Sequence, residues 1–352
     1  MTSPPTVPPT MKAWTFSRPG AHRQVLRLND IPSPKNPIEA QVLIKVAYAS
    51  LDGGAMKLMA MVPSLLRPKD SIPGSDFSGT IVSLGPSAPS HLHVGMAVFG
   101  LLGISATLKG SGTLREYVCV SAAETLIVPV PEGFSLEEAG SLGTATEMAY
   151  LICKHGQIQQ DCGYRILVNG SSGGCGSMFV QTAVAMGAKE VVGTCSAPNS
   201  DFVKQLGATR TIDYRSNAPL HAYLAKEYSD QKFDFILDTV GSQELYNNSP
   251  GYLKEGGTFL NIGDFTSGTL LTLIHWILNT YWPKWLGGTP RKYIMFSGKA
   301  EPTSSDWIFK LLQEGNAKAT VEKAFNFDQA LEALDMIATK RVRGRVVIKV
   351  AE

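Results

Sequence analysis

One stretch limits what this chain can fold into more than any other. Ile166-Leu167-Val168-Asn169 runs directly into Gly170-Ser171-Ser172-Gly173-Gly174-Cys175-Gly176, and an apolar helical pattern continues to Met186. Strand, glycine-rich turn and helix in that order form a βα unit. Its glycines permit a tight turn, let backbone N–H groups approach a diphosphate, and let the helix pack closely on the strand. The helix start then offers unpaired N–H groups and a positive dipole end to an anion. Ser171 stands where a Gly-x-Gly-x-x-Gly fingerprint has its first glycine, so the motif alone could be an ordinary strand-to-helix turn. The strands and helices downstream of the loop decide for a dinucleotide held by Ser171, Ser172, Gly173, Gly174, Cys175 and Gly176.

Beyond the loop, strand-like and helical runs alternate. Val191 to Cys195 is a strand pattern, Ser200 to Leu206 a helix and Phe233 to Asp238 a strand. Such alternation predicts a parallel sheet covered by helices, an α/β fold of the doubly wound kind. Helices over Asp306 to Glu314 and Asp328 to Ala338 come next, and Val346 to Val350 ends the chain as a strand. The region before the loop differs. Val42 to Val46, Gly79 to Leu84 and Arg115 to Val120 have strand length and β-branched content, separated by Pro73-Gly74, Gly85-Pro86 and Val94-Gly95. They predict an antiparallel, barrel-like β unit. Ser135-x-x-Glu138 has the form of a capping box opening a helical stretch. The expected organisation is a proline-rich disordered tail over 1–10, a β domain over 11–135, the dinucleotide domain over 136–293, and a return to the first domain over 294–352.

Composition excludes several function classes. A 352-residue chain with 44% hydrophobic residues can bury two cores and is not disordered. A net charge of +2 argues against nucleic acid as the partner. The tail has no apolar run after a basic start, so it is not expected to act as a secretory signal. Five scattered cysteines, Cys119, Cys153, Cys162, Cys175 and Cys195, read as reduced thiols of a cytoplasmic protein. Of six histidines only His91 and His93 are close in sequence, in a Ser/Pro turn, and read as surface residues and not metal ligands.

The second strand of the dinucleotide unit bears on which cofactor binds. An NAD site places Asp or Glu about 20 residues past the glycines, on the ribose 2′-hydroxyl. Here that strand ends Cys195-Ser196-Ala197-Pro198-Asn199, without an acid. A carboxylate would repel a 2′-phosphate, so its absence favours NADPH. Ser196 and Asn199 can bond that phosphate and Tyr214 can close the pocket, while Ser196 also suits a helix N-cap.

Leu270 to Leu286 is the most apolar stretch, interrupted by His275, Asn279, Pro283 and Lys284. Leu270, Leu273, Ile274, Ile277, Leu278 and Tyr281 follow helical spacing. The favoured expectation is a helix buried in the core or at a subunit interface; a lid over an apolar substrate and a helix lying on a membrane are the alternatives.

Several motifs in order carry a resemblance. Met11-Lys12-Ala13, Ile72-Pro73-Gly74-Ser75-Asp76-Phe77-Ser78-Gly79, Val94 to Gly100, the GSSGGCG loop, Leu206-Gly207-Ala208 and Gly344-Arg345-Val346-Val347 resemble the medium-chain dehydrogenase/reductase superfamily. The likeness is to its zinc-free quinone oxidoreductase branch, including chloroplast-envelope-type quinone oxidoreductases, reticulon-interacting mitochondrial homologues and fungal trans-acting enoyl reductases. It implies a GroES-like β domain with a Rossmann domain inserted before a C-terminal return, and NADPH in the cleft between them. Zinc-dependent relatives carry Gly-His-Glu where this chain has Gly74-Ser75-Asp76, and a four-cysteine lobe that this sequence lacks, so zinc is expected to be absent.

The resemblance further implies conjugate reduction of an enone, quinone or enoyl thioester. It places Gly54 and Lys57 on a loop facing the nicotinamide, where relatives have Asn-Pro-x-Asp-x-Lys, and brings Met148, Ile262, Gly263, Gly344 and Arg345 to the cofactor. Lys57 matches and is a candidate catalytic residue, although a solvated lysine would look the same. Asp52 replaces the family's Asn, exchanging an amide donor for an acid, and is the second candidate. Met148 replaces a Thr that commonly contacts the nicotinamide. The partner expected is a small hydrophobic carbonyl compound, the chain being a monomer or homodimer. Two alternatives stay open: a trans-acting enoyl reductase docking on a megasynthase, and a biosynthetic enzyme of this fold that transfers no hydride.

Overall fold

The computed structural model describes residues 7–61, 68–262, 269–296 and 300–351, and at 269, 270 and 273 the backbone alone. In chain order come β1 (Thr10–Thr15), α1 (His22–Val25), β2 (Arg27–Pro32), β3 (Gln41–Ser50), α2 (Gly53–Met61), β4 (Asp76–Leu84), β5 (Ala97–Leu101), α3 (Ile104–Leu108), β6 (Tyr117–Ser121) and β7 (Leu126–Pro129). Next are α4 (Leu136–Ala139), α5 (Gly143–Gly156), β8 (Arg165–Asn169), α6 (Gly174–Ala185), β9 (Glu190–Cys195), α7 (Ser200–Gln205), β10 (Arg210–Asp213), α8 (Leu220–Glu227) and β11 (Phe233–Asp238). Last are α9 (Gln243–Asn247), β12 (Leu253–Asn261), α10 (Thr269–Tyr281), β13 (Lys292–Met295), α11 (Ser305–Gln313), β14 (Val321–Asn326), α12 (Ala330–Ala338) and β15 (Arg345–Lys349). They divide into two compact units. The first holds the described residues of Met1–Glu147, Lys299–Gly315 and Ala319–Glu352; the second holds those of Met148–Gly298 and Asn316–Lys318.

In the first unit β1 and β2 pair antiparallel. A seven-stranded sheet runs β14-β15-β3-β4-β5-β7, with β6 also on β3. All its pairings are antiparallel except β14 with β15. β3 is its hub because Val42, Leu43, Ile44 and Val46 are all buried, so partners cover both of its faces. Trp14, Leu26, Phe77, Ile81 and Leu114 fill the core beside them. The capping box forms as its spacing predicts: Ser135 N–H donates to the Glu138 carboxylate at 2.9 Å, and Glu138 N–H to Ser135 Oγ at 3.2 Å. The helix it caps stops at Ala139, however, and α5 starts afresh at Gly143. Residues 136–147 stay with this unit through their polar contacts. Ser78 Oγ donates to the Leu136 carbonyl, and the buried Glu147 accepts from the Glu301 N–H at 2.7 Å and from the Ser304 hydroxyl.

The second unit is a six-stranded, all-parallel sheet in the order β10-β9-β8-β11-β12-β13. Counted from β8 this is 3-2-1-4-5-6, the Rossmann order, with the reversal of winding between β8 and β11. Ile166, Leu167 and Val168 on β8 and Ile236 and Leu237 on β11 are continuously buried, as a sheet covered on both faces requires.

The structure corrects one half of an expectation here, burial of the apolar segment in the core of its own chain. α10 is a helix of the expected spacing, but it turns its apolar stripe outward: Leu271, Ile274, Ile277, Leu278 and Tyr281 are all exposed. Leu270 and Leu273, which belong to the same stripe in sequence, lie outside the described side chains. The cause is polar. Asn279 exchanges two hydrogen bonds with Gln243 of α9, at 2.8 and 2.9 Å, and its carbonyl accepts the Tyr246 hydroxyl at 3.3 Å. Thr272 is buried and His275 half-buried on the same side, so the polar stripe packs inward. No helix of the described residues is long and apolar enough to cross a membrane.

Candidate active site

The glycine loop emerges at the carboxyl end of β8, beside the winding reversal, where open α/β sheets bind ligands. A chain of buried polar groups fixes it. Asp238, at the end of β11, accepts from Asn169 Nδ2 at 2.8 Å and from the Val240 and Ser242 N–H groups at 2.9 Å each. Burial pushes its carboxyl up, and those donors oppose the shift. Asn169 Oδ1 accepts the Thr194 hydroxyl at 2.6 Å, and Thr194 Oγ1 accepts the Gly170 N–H at 3.0 Å. Ser171 is fully buried, and both its N–H and its hydroxyl donate to the Thr194 carbonyl at 2.9 Å. Its side chain therefore ties the loop to β9. Asp238, Thr194 and Asn169 are not marked by any sequence motif, though all three lie at or next to the carboxyl ends of strands of the alternating pattern, where side chains can turn into a loop.

The next turn of the loop is built for close approach. Gly173 is the N-cap of α6, with extended backbone, and a Cβ there would meet only the Gly170 carbonyl at 3.6 Å. At Gly176 a Cβ would lie 2.1 Å from the same carbonyl, so helix and turn touch with no room for a side chain. Gly174, Cys175 and Gly176 form the first turn of α6, where backbone N–H groups point out of the start of the helix. Ser172 Oγ accepts Asn199 Nδ2 at 3.2 Å, joining the loop to the segment after β9.

That segment carries the candidate ribose contacts. Ser196 starts a 3-10 turn, Ala197–Asn199, but its hydroxyl makes no capping bond. β10 pairs with β9 so that Asp213 lies opposite Cys195, which brings Tyr214 beside this end. The Tyr214 N–H donates to the Cys195 carbonyl at 3.3 Å. Arg215, absent from the sequence-based candidates, lies over the Tyr214 ring at 5.6 Å, with its Nε 3.3 Å from the Tyr214 hydroxyl. The Asp213 carboxyl accepts from the Arg215 N–H and the Ser216 hydroxyl with the Ala197 backbone N–H beside it, and these donors hold it below the usual range.

In the first unit, Asp52 caps α2, accepting the Ala55 N–H on Oδ1 at 2.8 Å. Its other oxygen is 3.8 Å from Arg345 on β15, whose guanidinium is 3.7 Å from Asp76 on β4. Asp76 is fully buried and accepts from Thr144 through both N–H and hydroxyl, the latter at 2.7 Å, and from Ser75 Oγ at 3.2 Å. Burial pushes the Asp76 carboxyl up, Arg345 opposes the shift, and Asp52 adds to it. Asp52, Asp76 and Arg345 are thus one electrostatic group, two acids bridged by a buried arginine. Lys57 lies half-buried in the middle of α2, one turn beyond the cap. Gly54 lies in the first turn of the same helix, next to the Asp52 carboxylate.

The remaining candidates scatter. Met148 is buried on α5, and Gly344 takes φ +65° just before β15. The Ile262 N–H donates to the Asp238 carbonyl at 3.2 Å. Gly263 lies outside the described residues. His91 and His93 are exposed, and no group of three His, Cys, Asp or Glu among the described residues could hold a metal ion.

Comparison with known proteins accounts for both units. Residues 38–132 match the family described as alcohol dehydrogenase GroES-like domain, and residues 174–278 match zinc-binding dehydrogenase. The chain is 33% identical to the medium chain reductase pydE of Acremonium sp over 366 aligned residues, spanning 97% of this chain and 99% of that protein. The chain belongs to the medium-chain dehydrogenase/reductase superfamily. As a member of it, the protein is an oxidoreductase of a family that works with a nicotinamide cofactor. It is 32% identical to the trans-enoyl reductase pgmF of Aspergillus terreus, covering 99% of this chain and 98% of that one. Among solved structures, the quinone oxidoreductase from Coxiella burnetii superposes with a TM-score of 0.77 at 27% identity, covering 97% of this chain and all of the other.

Proposed function

We propose that this superfamily member uses NADPH to reduce an activated C=C bond in a hydrophobic enone, quinone or enoyl thioester, without zinc. One observation carries the reading. Where zinc-dependent members hold Gly-His-Glu, Ser75 spends its hydroxyl on Asp76, and Asp76 is buried against Thr144 and Arg345. The donor set does not fit a catalytic zinc, which takes three protein ligands from Cys, His or acids. Stabilising a developing enolate therefore falls to hydrogen-bond donors.

The second unit suits a nicotinamide dinucleotide: Gly173 leaves its outer side open, and the α6 N-terminus offers N–H groups to a diphosphate. The bound cofactor supplies the hydride that adds to the β-carbon. Gly174, Cys175 and Gly176 hold the diphosphate through backbone N–H groups, and Ser196, Asn199 and Arg215 hold the 2′-phosphate, with Tyr214 alongside. Arg215 matters most, because a guanidinium matches phosphate geometry in a way a hydroxyl does not. Lys57 donates to the carbonyl oxygen as negative charge grows on it. Asp52 acts by capping α2 and facing Arg345, which makes it a positioning residue for Lys57. Full-length similarity to trans-enoyl reductases favours an enoyl thioester, tethered to a partner polyketide synthase, within the substrate class.

The test is NADPH oxidation against a panel of enones, quinones and enoyl thioesters, with deuterated cofactor. Label on the β-carbon of a reduced product supports the reading. NADPH binding with no reduction of any member, and dehydration or rearrangement of a pathway intermediate instead, would replace it with chemistry that transfers no hydride.

A further inference from the structure

The inverted packing of α10 leaves an exposed apolar surface. Its outward residues are Leu271, Ile274, Ile277, Leu278 and Tyr281, between 40% and 75% exposed. The stripe continues past the helix into the 3-10 turn Lys284–Leu286, where Trp282, Trp285 and Leu286 are 50%, 82% and 51% exposed. The Trp282 indole N–H donates to the Leu286 carbonyl at 3.0 Å and folds this turn on itself, so Trp285 is held outward. Exposing so much contiguous apolar side chain is costly in water and marks a surface with a partner.

The chemistry around the stripe selects the partner. Trp276, Tyr281, Trp282 and Trp285 fall within ten residues of one another, and indole and phenol rings favour the headgroup level of a bilayer, apolar on one side and wet on the other. From residue 265 to 300 the sequence has Lys284, Arg291, Lys292 and Lys299 and no Asp or Glu. Lys284 and Lys292 are exposed. The neighbouring acid, Glu244 on α9, faces His221 at 3.7 Å. Two copies joined about a two-fold axis on this face would bring together two identical basic stretches, with no acid in either to offset the lysines. An anionic surface is complementary. The 13-residue helix spans about 20 Å, short of the roughly 30 Å of a hydrocarbon core.

We propose that the outward face of α10, with the Trp285 turn, docks the protein on an anionic phospholipid membrane, lying in the interface without crossing it. The aliphatic residues and indoles enter the headgroup boundary, and Lys284 and Lys292 stay at the phosphates.

The experiment is sedimentation of the full-length protein with vesicles of phosphatidylcholine alone and of phosphatidylcholine with phosphatidylglycerol, followed in parallel by tryptophan fluorescence. Binding should be strong on the anionic vesicles, weak on the neutral ones and reduced by salt, with a blue shift in emission. The Ile277→Glu/Trp285→Glu double variant should lower partitioning by about 100-fold, the effect of removing two interfacial anchors. Both sites are exposed, so folding should survive; Trp285→Gln, which adds no charge, should give a smaller loss in the same direction. Circular dichroism and NADPH binding should be unchanged in both. Failure to sediment with any vesicle, equal binding to neutral and anionic vesicles, or binding indifferent to the substitutions would overturn the proposal. So would a dimer in vesicle-free solution that the double variant dissociates, since it would assign the face to a second copy.

Discussion

Gly173 and Gly176 are three residues apart in one loop, and substituting each with alanine should have opposite consequences. A Cβ at Gly176 would sit 2.1 Å from the Gly170 carbonyl oxygen and 2.9 Å from the Ser171 Cα, whereas ordinary contact begins near 3.4 Å. Both obstacles are backbone, and the Ser171 and Gly170 N–H groups are bonded to Thr194, so the turn cannot retreat without breaking those bonds. Overpacking of this kind costs roughly 1–3 kcal/mol, and backbone obstacles put it at the upper end. Replacing Gly by Ala in a helix returns up to about 1 kcal/mol. Gly176→Ala should therefore lose about 2 kcal/mol, lowering the melting temperature by ~4–8 °C at the usual ~2–4 °C per kcal/mol for a unit of this size.

At Gly173 the same methyl meets only one oxygen, at 3.6 Å. The lost preference for Gly over Ala at an N-cap and the gain from a stiffer unfolded chain are each roughly 0.5 kcal/mol and oppose each other, so the melting temperature should hardly move. In the proposed binding mode the methyl would enter the space of the diphosphate, so Gly173→Ala should weaken NADPH at least tenfold, about 1.4 kcal/mol. Thermal melts with and without NADPH read both effects, because ligand at about 100 times Kd adds ~2.7 kcal/mol to the native state. Gly173→Ala should melt like the wild type without cofactor and lose about half or more of the cofactor-induced rise. Wild-type NADPH affinity in Gly173→Ala would refute the placement of the diphosphate. An unchanged melting temperature in Gly176→Ala would refute the close approach of helix and turn.

Ser196→Asp should reverse the preference for NADPH over NADH, and Arg215→Ala should weaken NADPH at least tenfold while leaving NADH within a factor of about two; equal losses for the two cofactors in fluorescence titration would remove Arg215 from the 2′-phosphate. Lys57→Met should lower kcat by about 10²-fold with little change in cofactor affinity, as expected of a group acting in the transition state; a rise in KM with kcat intact would make it a binding residue. Hydrogen bonds from Arg23 and His22 hold the Asp335 carboxyl down to about 2, between α1 and α12. A depressed carboxyl stabilises the native state above its unfolded value and loses that contribution as pH falls through the folded one. Wild type and Asp335→Asn should therefore melt apart at pH above about 4 and converge as pH falls toward ~2; parallel melting curves across that range would show the contact to be idle.

The order of elements in the second unit was legible because its signals are local. A strand running into GSSGGCG and then a helix needs no distant partner to be recognised, and β11 occupies the very residues that the apolar run Phe233 to Asp238 marks. The organisation of the sites was less legible, because the residues that hold them are far apart in sequence. Asp76 meets Thr144 across 68 positions, and Asp52 faces Arg345 from the opposite end of the chain. Nothing in Leu51-Asp52-Gly53 shows that the carboxylate caps α2. Arg215 is hidden for a related reason: its value comes from β10 lying in register beside β9, and that pairing is a property of the sheet.

α10 shows where periodicity stops being informative. Its spacing specifies one apolar stripe and one polar stripe, and the usual inference sends the apolar one inward, because burying it gains about 25 cal/mol per Å². That inference assumes the polar stripe has only water to face. Here Asn279 has a complementary amide in Gln243 and a hydroxyl from Tyr246, so the polar stripe is satisfied against the protein. Packing it inward then leaves no buried amide unmet, and the cost moves to the exposed side, where Ile277 and Trp285 face water until a partner covers them. On its exposed side a single chain gains nothing from that arrangement. It becomes favourable when the outward stripe is itself buried by something outside the chain, and the basic, acid-free flank at Lys284 and Lys292 makes an anionic bilayer the surface that fits.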